Sequence, residues 1–123
     1  MVRMTPTEII SADIQAHGKD PQADVSAIAT AVKAGKGLIL AHGNTVLFLL
    51  NIGNGAVELH LYTQDTPIKV AKALIDFIKK IRASDIQVVY GSEEPTQTLQ
   101  LLRNLDVNIE PSDNPKYKWM ARV

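Results

Sequence analysis

The chain reads as an α/β (α+β) domain, a mixed sheet with helices on both faces, in the order α-α-β-β-β-α-β-α-β-β. Three observations predict it. Apolar residues recur at helical spacing as far as Gly35 and switch to strand spacing after Gly37. His42-Gly43-Asn44 and Gly53-Asn54-Gly55 divide the next stretch into three strand-like runs joined by short turns, which is an antiparallel meander. A helical pattern then precedes "IQVVY", so that strand should lie parallel to one of the meander.

Taken in order, "TPTEIISADIQAHG" opens with Thr5 as a cap, Pro6 at the first helical position and Glu8 completing a capping box. Ile9, Ile10 and Ile14 face the core, and Gly18 ends the helix. Asp20 and Pro21 start a second helix with an apolar stripe of Val25, Ile28, Ala29 and Val32. The strands follow at 38–41, 45–52 and 57–62. The middle one is apolar at nearly every position, as a strand buried on both faces would be. The third alternates Val57, Leu59 and Leu61 with Glu58, His60 and Tyr62. Thr66 and Pro67 suit the start of a helix whose core stripe is Val70, Ala71, Leu74, Phe77, Ile78 and Ile81. A short buried strand at 86–90 leads to a helix at 95–105 carrying Leu99, Leu101, Leu102 and Leu105. The tail forms a hairpin of 107–110 with 117–123, in which Tyr117, Trp119, Ala121 and Val123 share one face.

With 123 residues the chain is expected to be one domain, 1–123. Apolar residues at 46% argue against disorder. Thirteen basic residues balance thirteen acidic ones, which gives no electrostatic case for nucleic acid or an anionic membrane. The absence of cysteine excludes disulfides, thiolate metal sites and a Cys nucleophile, and three scattered histidines suggest no metal site. The N-terminal residues lack the apolar region of a signal peptide, and the longest apolar run, 46–50, is too short to cross a bilayer. A soluble, cytoplasmic protein is expected.

The element order, with "KVAKAL" (69–74), "LLRNLDV" (101–107) and the closing "YKWMARV", resembles the GCN5-related N-acetyltransferase (GNAT) family from about residue 5 to the end. The three segments are similar to the family's "GxGxAL", its "LYxxLGF" and its last strand. The family's first strand would be missing or reduced to 2–4. Within that resemblance the chain is most similar to short GNAT-like proteins of tailed bacteriophages, some of them virion-associated.

The resemblance implies an acetyl-CoA site whose pyrophosphate rests on the turn before the third helix. There the cofactor-binding positions are Thr66, Lys69, Val70 and Ala71, and they depart from the family. Thr66 replaces Gln or Arg, Lys69 replaces a glycine, Pro67 has no N–H to donate, and Asp65 places a carboxylate beside the anion site. Leu102 stands where many members carry a Tyr that protonates the leaving thiolate, and a leucine moves no proton. Pro95 and Thr98 replace an Asn and an Ala. These departures favour a non-catalytic GNAT-like module that binds a protein partner or a second copy, within a virion or host cytoplasm, and no cofactor. The alternative is an acetyl-CoA-dependent N-acetyltransferase with a degenerate loop. For it, Glu58 is the candidate base, with His60 and Tyr62 on the same strand face. The plain reading of these three is the polar face of an amphipathic strand. Two further features bear on the choice. Tyr90-Gly91-Ser92 ends the parallel strand, where ligands gather in open sheets, and Trp119 and Tyr117 could be core or an interface anchor. An open gap between the strands flanking the third helix would admit the thioester. A gap filled by Ile68 or Lys69 would exclude it.

Overall fold

In the computed structural model residues 4–92 and 96–123 are described. The elements are α1 (Pro6–Ala16), α2 (Gln22–Lys33), β1 (Gly37–His42), β2 (Thr45–Gly53), β3 (Ala56–Thr63), α3 (Pro67–Arg82), β4 (Val88–Gly91), α4 (Thr96–Asn104), β5 (Ile109–Pro111) and β6 (Trp119–Arg122). This is the order expected from the sequence. The position suggested for a vestigial first strand and the expected start of the fourth helix at Pro95 lie wholly or partly outside the described residues.

Among the described residues one six-stranded sheet runs β1-β2-β3-β4-β6-β5. The meander is antiparallel, β3 and β4 are parallel, and β6 pairs antiparallel with both β4 and β5. Strand alternation divides the core in two. Leu47 and Leu49 of β2 join Val57, Val89, Trp119 and Ala121 beneath Val70, Ala73, Leu74, Phe77 and Ile81 of α3 and Leu102 of α4. Val46 and Phe48, on the opposite face, pack with Ile9, Ile10 and Ile14 of α1 and Ile28 of α2. The run Val46–Leu49 is buried throughout because each face has its own helical layer.

Local signals acted largely as expected. Thr5 accepts the Glu8 N–H while the Glu8 side chain accepts the Thr5 N–H, so the capping box forms. The turn between β2 and β3 is carried by Gly53, Asn54 and Gly55, all at positive φ. Three differences matter. In α3 the small core residue is Ala73, with no exposed surface, while Ala71 is only half-buried. The parallel strand starts at Val88 rather than Ile86, because the Gln87 and Val88 N–H groups both turn to the Gly55 carbonyl. The terminal hairpin is short, so Tyr117 sits in the loop before β6 and Val123 lies beyond it, exposed. Only Trp119 and Ala121 of the expected four share the core face.

Candidate active site

The parallel ladder between β3 and β4 holds only three pairs, Ala56–Val88, Val57–Val89 and Glu58–Tyr90. Among the described residues, β3 runs beside β2 alone from Leu59 onward, and a gap opens on its other side. The antiparallel pattern assigns the backbone groups there. Gln64 N–H bonds the Asn44 carbonyl across the β2–β3 pair, whereas Thr63 N–H bonds the Asp13 carboxylate at 2.8 Å. Alternation then turns the Tyr62, His60 and Glu58 main chain toward β2 and the Leu61 N–H and carbonyl toward the gap.

The gap is part of a cleft of about 800 Å³ lined by both helices of one face and by the strands. Asp13 and His17 come from α1, Asp24 and Ile28 from α2, residues 59–63 from β3, and Gly91, Ser92 and Trp119 from the far side. Neither Ile68 nor Lys69 fills it. Ile68 is 73% exposed and Lys69 is also exposed.

Glu58 and His60 share a strand face, as their spacing requires, and touch. His60 Nε2 lies 2.7 Å from Glu58 Oε1. Tyr117 donates its hydroxyl to the other carboxylate oxygen at 2.9 Å. Phe48 stacks on the imidazole, and Tyr90 stacks on Tyr117 with ring centroids 5.1 Å apart. This face is therefore not a solvated polar one. The Glu58 side chain is 16% exposed and both its oxygens are engaged. Of the three expected residues, His60 and Tyr62 line the cleft, and Glu58 holds His60. Tyr62 also packs against the α1–α2 core.

Partial burial pushes the Glu58 carboxyl up, but hydrogen bonds from His60 and Tyr117 and the charges of His60 and Lys116 outweigh it, and Glu58 titrates below its ordinary value. Burial first, then the bond to Glu58, pushes the Tyr117 phenol up to about 12. The two shifts have opposite linkage. Glu58 contributes stability above its unfolded pKa, which is lost as pH falls through the carboxylate range. Tyr117 contributes stability below its unfolded pKa, which is lost as pH rises from 10 toward about 12. Urea titrations across pH should show wild type losing stability over that alkaline interval and Tyr117→Phe losing less. Parallel alkaline losses would contradict the hydrogen-bonded phenol.

The turn before α3 departs from expectation in both directions. Asp65 does not face an anion site: its Oδ2 accepts the Asn44 N–H at 2.9 Å and the hydroxyl of fully buried Thr45 at 2.8 Å. Thr66 occupies the cap position with extended backbone, but its side chain makes no capping bond. The first turn of α3 holds no acidic residue. Val70 is withdrawn from any ligand, since its N–H bonds the Thr66 carbonyl and its side chain is buried. Ala71 is one residue further into the helix, where N–H groups bond back along the chain. The main-chain donors left for an anion are those of Ile68 and Lys69, with the exposed Lys69 side chain beside them.

Leu102 is 7% exposed and belongs to the core beneath α3, so no titrating group stands there. His42 lies 3.4 Å from Asp76 at the opposite edge of the sheet, and His17 caps α1 by its ring bond to the Asp13 carbonyl. No cluster of three potential metal ligands occurs among the described residues, and no described helix is long and apolar enough to cross a membrane. The sequence does not single out Asp13. It marks Gly91 as a strand end where ligands gather and Tyr117 and Trp119 as core or an interface anchor, but it does not show the Tyr117–Glu58 contact or the Gly91–Trp119 pair. The partners of Asp13, Tyr117 and Gly91 are 50, 59 and 28 residues away or across a ladder whose register only the fold sets.

No protein-family model and no curated protein matches the chain. Solved structures do. A GNAT-family acetyltransferase from Staphylococcus aureus superposes with a TM-score of 0.68 at 14% identity, covering 98% of this chain and 96% of that one. YncA, a putative acetyltransferase from Salmonella typhimurium solved with acetyl-CoA, gives 0.61 at 10% identity, covering 99% and 90%. A ribosomal-protein-alanine N-acetyltransferase from Brucella melitensis gives 0.58 at 10%, covering 98% and 95%. With six strands in the order β1-β2-β3-β4-β6-β5 and helices on both faces, the chain has the GNAT acetyltransferase fold.

Proposed function

We propose that the protein is an N-acyltransferase that takes its acyl group from acetyl-CoA or a similar thioester and passes it to an amine. The observation that carries this reading is the gap between β3 and β4, open and walled by His60. The non-catalytic reading rests on the turn before α3 together with Leu102, and its virion part on the resemblance to phage proteins. Pro67 and Leu102 stand as the sequence has them, but three features of the turn offer that reading less support than expected. Asp65 is turned away, Thr66 leaves the helix start uncapped, and Ile68 and Lys69 stay out of the gap.

The residues present fit the group in two places. The Leu61 main chain offers a donor and an acceptor to an amide-bearing chain laid along β3. The Ile68 and Lys69 N–H groups and the Lys69 ammonium suit a phosphate, though without the close backbone approach that glycines would allow. When bound, the thioester supplies an activated acyl carbonyl.

The chain's own part is proton management. An ionised Glu58 accepts the Nε2 proton of His60 and so leaves the Nδ1 lone pair free. His60 is then the base that accepts the proton of the attacking amine at Nδ1. The amine nitrogen bonds the acyl carbon as the carbon–sulfur bond breaks. The imidazolium, held by Glu58, can return its proton to the departing sulfur, a role Leu102 cannot take. Tyr117 keeps Glu58 in place from the other side. A protein partner would enter as the amine acceptor.

Acetyl-CoA should raise the melting temperature by mass action, with stabilisation of about 2.7 kcal/mol at a hundredfold excess over Kd. A panel of amines should then reveal acetyl transfer. Unchanged melting at millimolar acetyl-CoA would return the protein to the class of non-catalytic modules.

A further inference from the structure

We propose that Trp119 limits the acyl group to acetyl and comparably short chains, an inference that rests on the thioester-binding reading above. The gap closes at the Glu58–Tyr90 pair, and the next residue on the β4 side is Gly91. Gly91 stands opposite Trp119 in the β4–β6 ladder. The indole lies directly over it: a methyl group built on Gly91 would overlap Cε2, Cζ2 and Nε1 of the ring. The missing side chain at Gly91 is what allows the ring to lie there.

Trp119 is 6% exposed, packs with Leu47, Leu49 and Val89 in the larger core, and still lines the cleft. It is therefore a rigid wall at the blind end of the gap, where the two strands rejoin. A thioester with its phosphates toward the start of α3 and its acyl carbon beside His60 points its acyl tail at that wall. Leu59 and Leu61 flank the tail along β3. Longer chains must displace an aromatic ring braced by two strands and the core, whereas acetyl need not. A pocket that is closed by packing discriminates by methylenes, each worth about 10–200-fold.

The test is calorimetric binding of acetyl-, butanoyl- and octanoyl-CoA to the full chain. Wild type should bind acetyl-CoA at least about tenfold more tightly than octanoyl-CoA. Trp119→Leu, which keeps the site apolar while opening it, should gain affinity for butanoyl-CoA relative to acetyl-CoA. Trp119→Phe, the gentler change, should shift in the same direction. Equal affinity of wild type for acetyl- and octanoyl-CoA overturns this proposal and leaves the thioester reading intact. An unchanged ranking in either folded variant also overturns it. Failure of every thioester to bind overturns both. The wild-type series decides the matter if neither variant folds.

Discussion

His60→Ala should lower acyl-transfer turnover by about 10²–10⁴-fold, the usual contribution of a positioned general base, while acetyl-CoA binding changes little. The main-chain and phosphate contacts proposed for the thioester do not involve the imidazole. Glu58→Gln should also lower turnover, for a different reason. An amide can donate to Nε2 and so move the imidazole proton onto Nδ1, which removes the lone pair the amine needs, as an Asp→Asn change does in Ser-His-Asp triads. The pH profile separates the two. Glu58→Gln should displace the low-pH limb, along which a general base gains its proton and turnover is lost, whereas His60→Ala should abolish it. Full turnover in folded His60→Ala would assign the base elsewhere.

Phe77→Ala should cost about 3–5 kcal/mol of folding stability, read as a lowered urea midpoint. Phe77 is 1% exposed at the centre of the core between α3 and the sheet, among Leu47, Leu49, Val57 and Val89. Domains of this size have about 0.05–0.15 kcal/mol per residue in hand, so the loss removes a large share of the whole. Ile75→Ala, on the outer side of the same helix at 41% exposure, should change stability by no more than about 0.5 kcal/mol. Similar losses for the two would mean that α3 is not seated as described. The same seating holds the start of α3 beside the open end of the gap, so Phe77→Ala should also weaken thioester binding.

The elements were legible because each carries a local signal. The capping box at Thr5 and Glu8, the period change after Gly37 and the Gly53-Asn54-Gly55 turn name their own structures. The period of two also placed Glu58 and His60 on one face, and their contact follows from it. Roles were less legible, because they depend on register and on distant partners. Glu58 was expected as the base, but Tyr117, 59 residues on, occupies its second oxygen and leaves His60 at the cleft. Tyr117 itself was placed on a core strand face, since nothing local shows that the closing strand starts only at Trp119. Asp65 was placed beside an anion site when its partners lie in the β1–β2 turn, brought close only by the meander. The length of the β3–β4 ladder is likewise silent in the sequence: Leu59 and Leu61 continue the alternation of Val57 although their neighbouring strand has gone.

The central claim is that the gap between β3 and β4 holds a thioester, and backbone amide NMR during an acetyl-CoA titration tests it most directly at this chain's 13.4 kDa. The largest shifts should fall on Leu61, Gly91 and Ser92 lining the gap and on Ile68 and Lys69 at the start of α3, with His60 side-chain resonances following. Saturating acetyl-CoA that leaves these amides unmoved, or moves only residues away from the gap, would contradict the account.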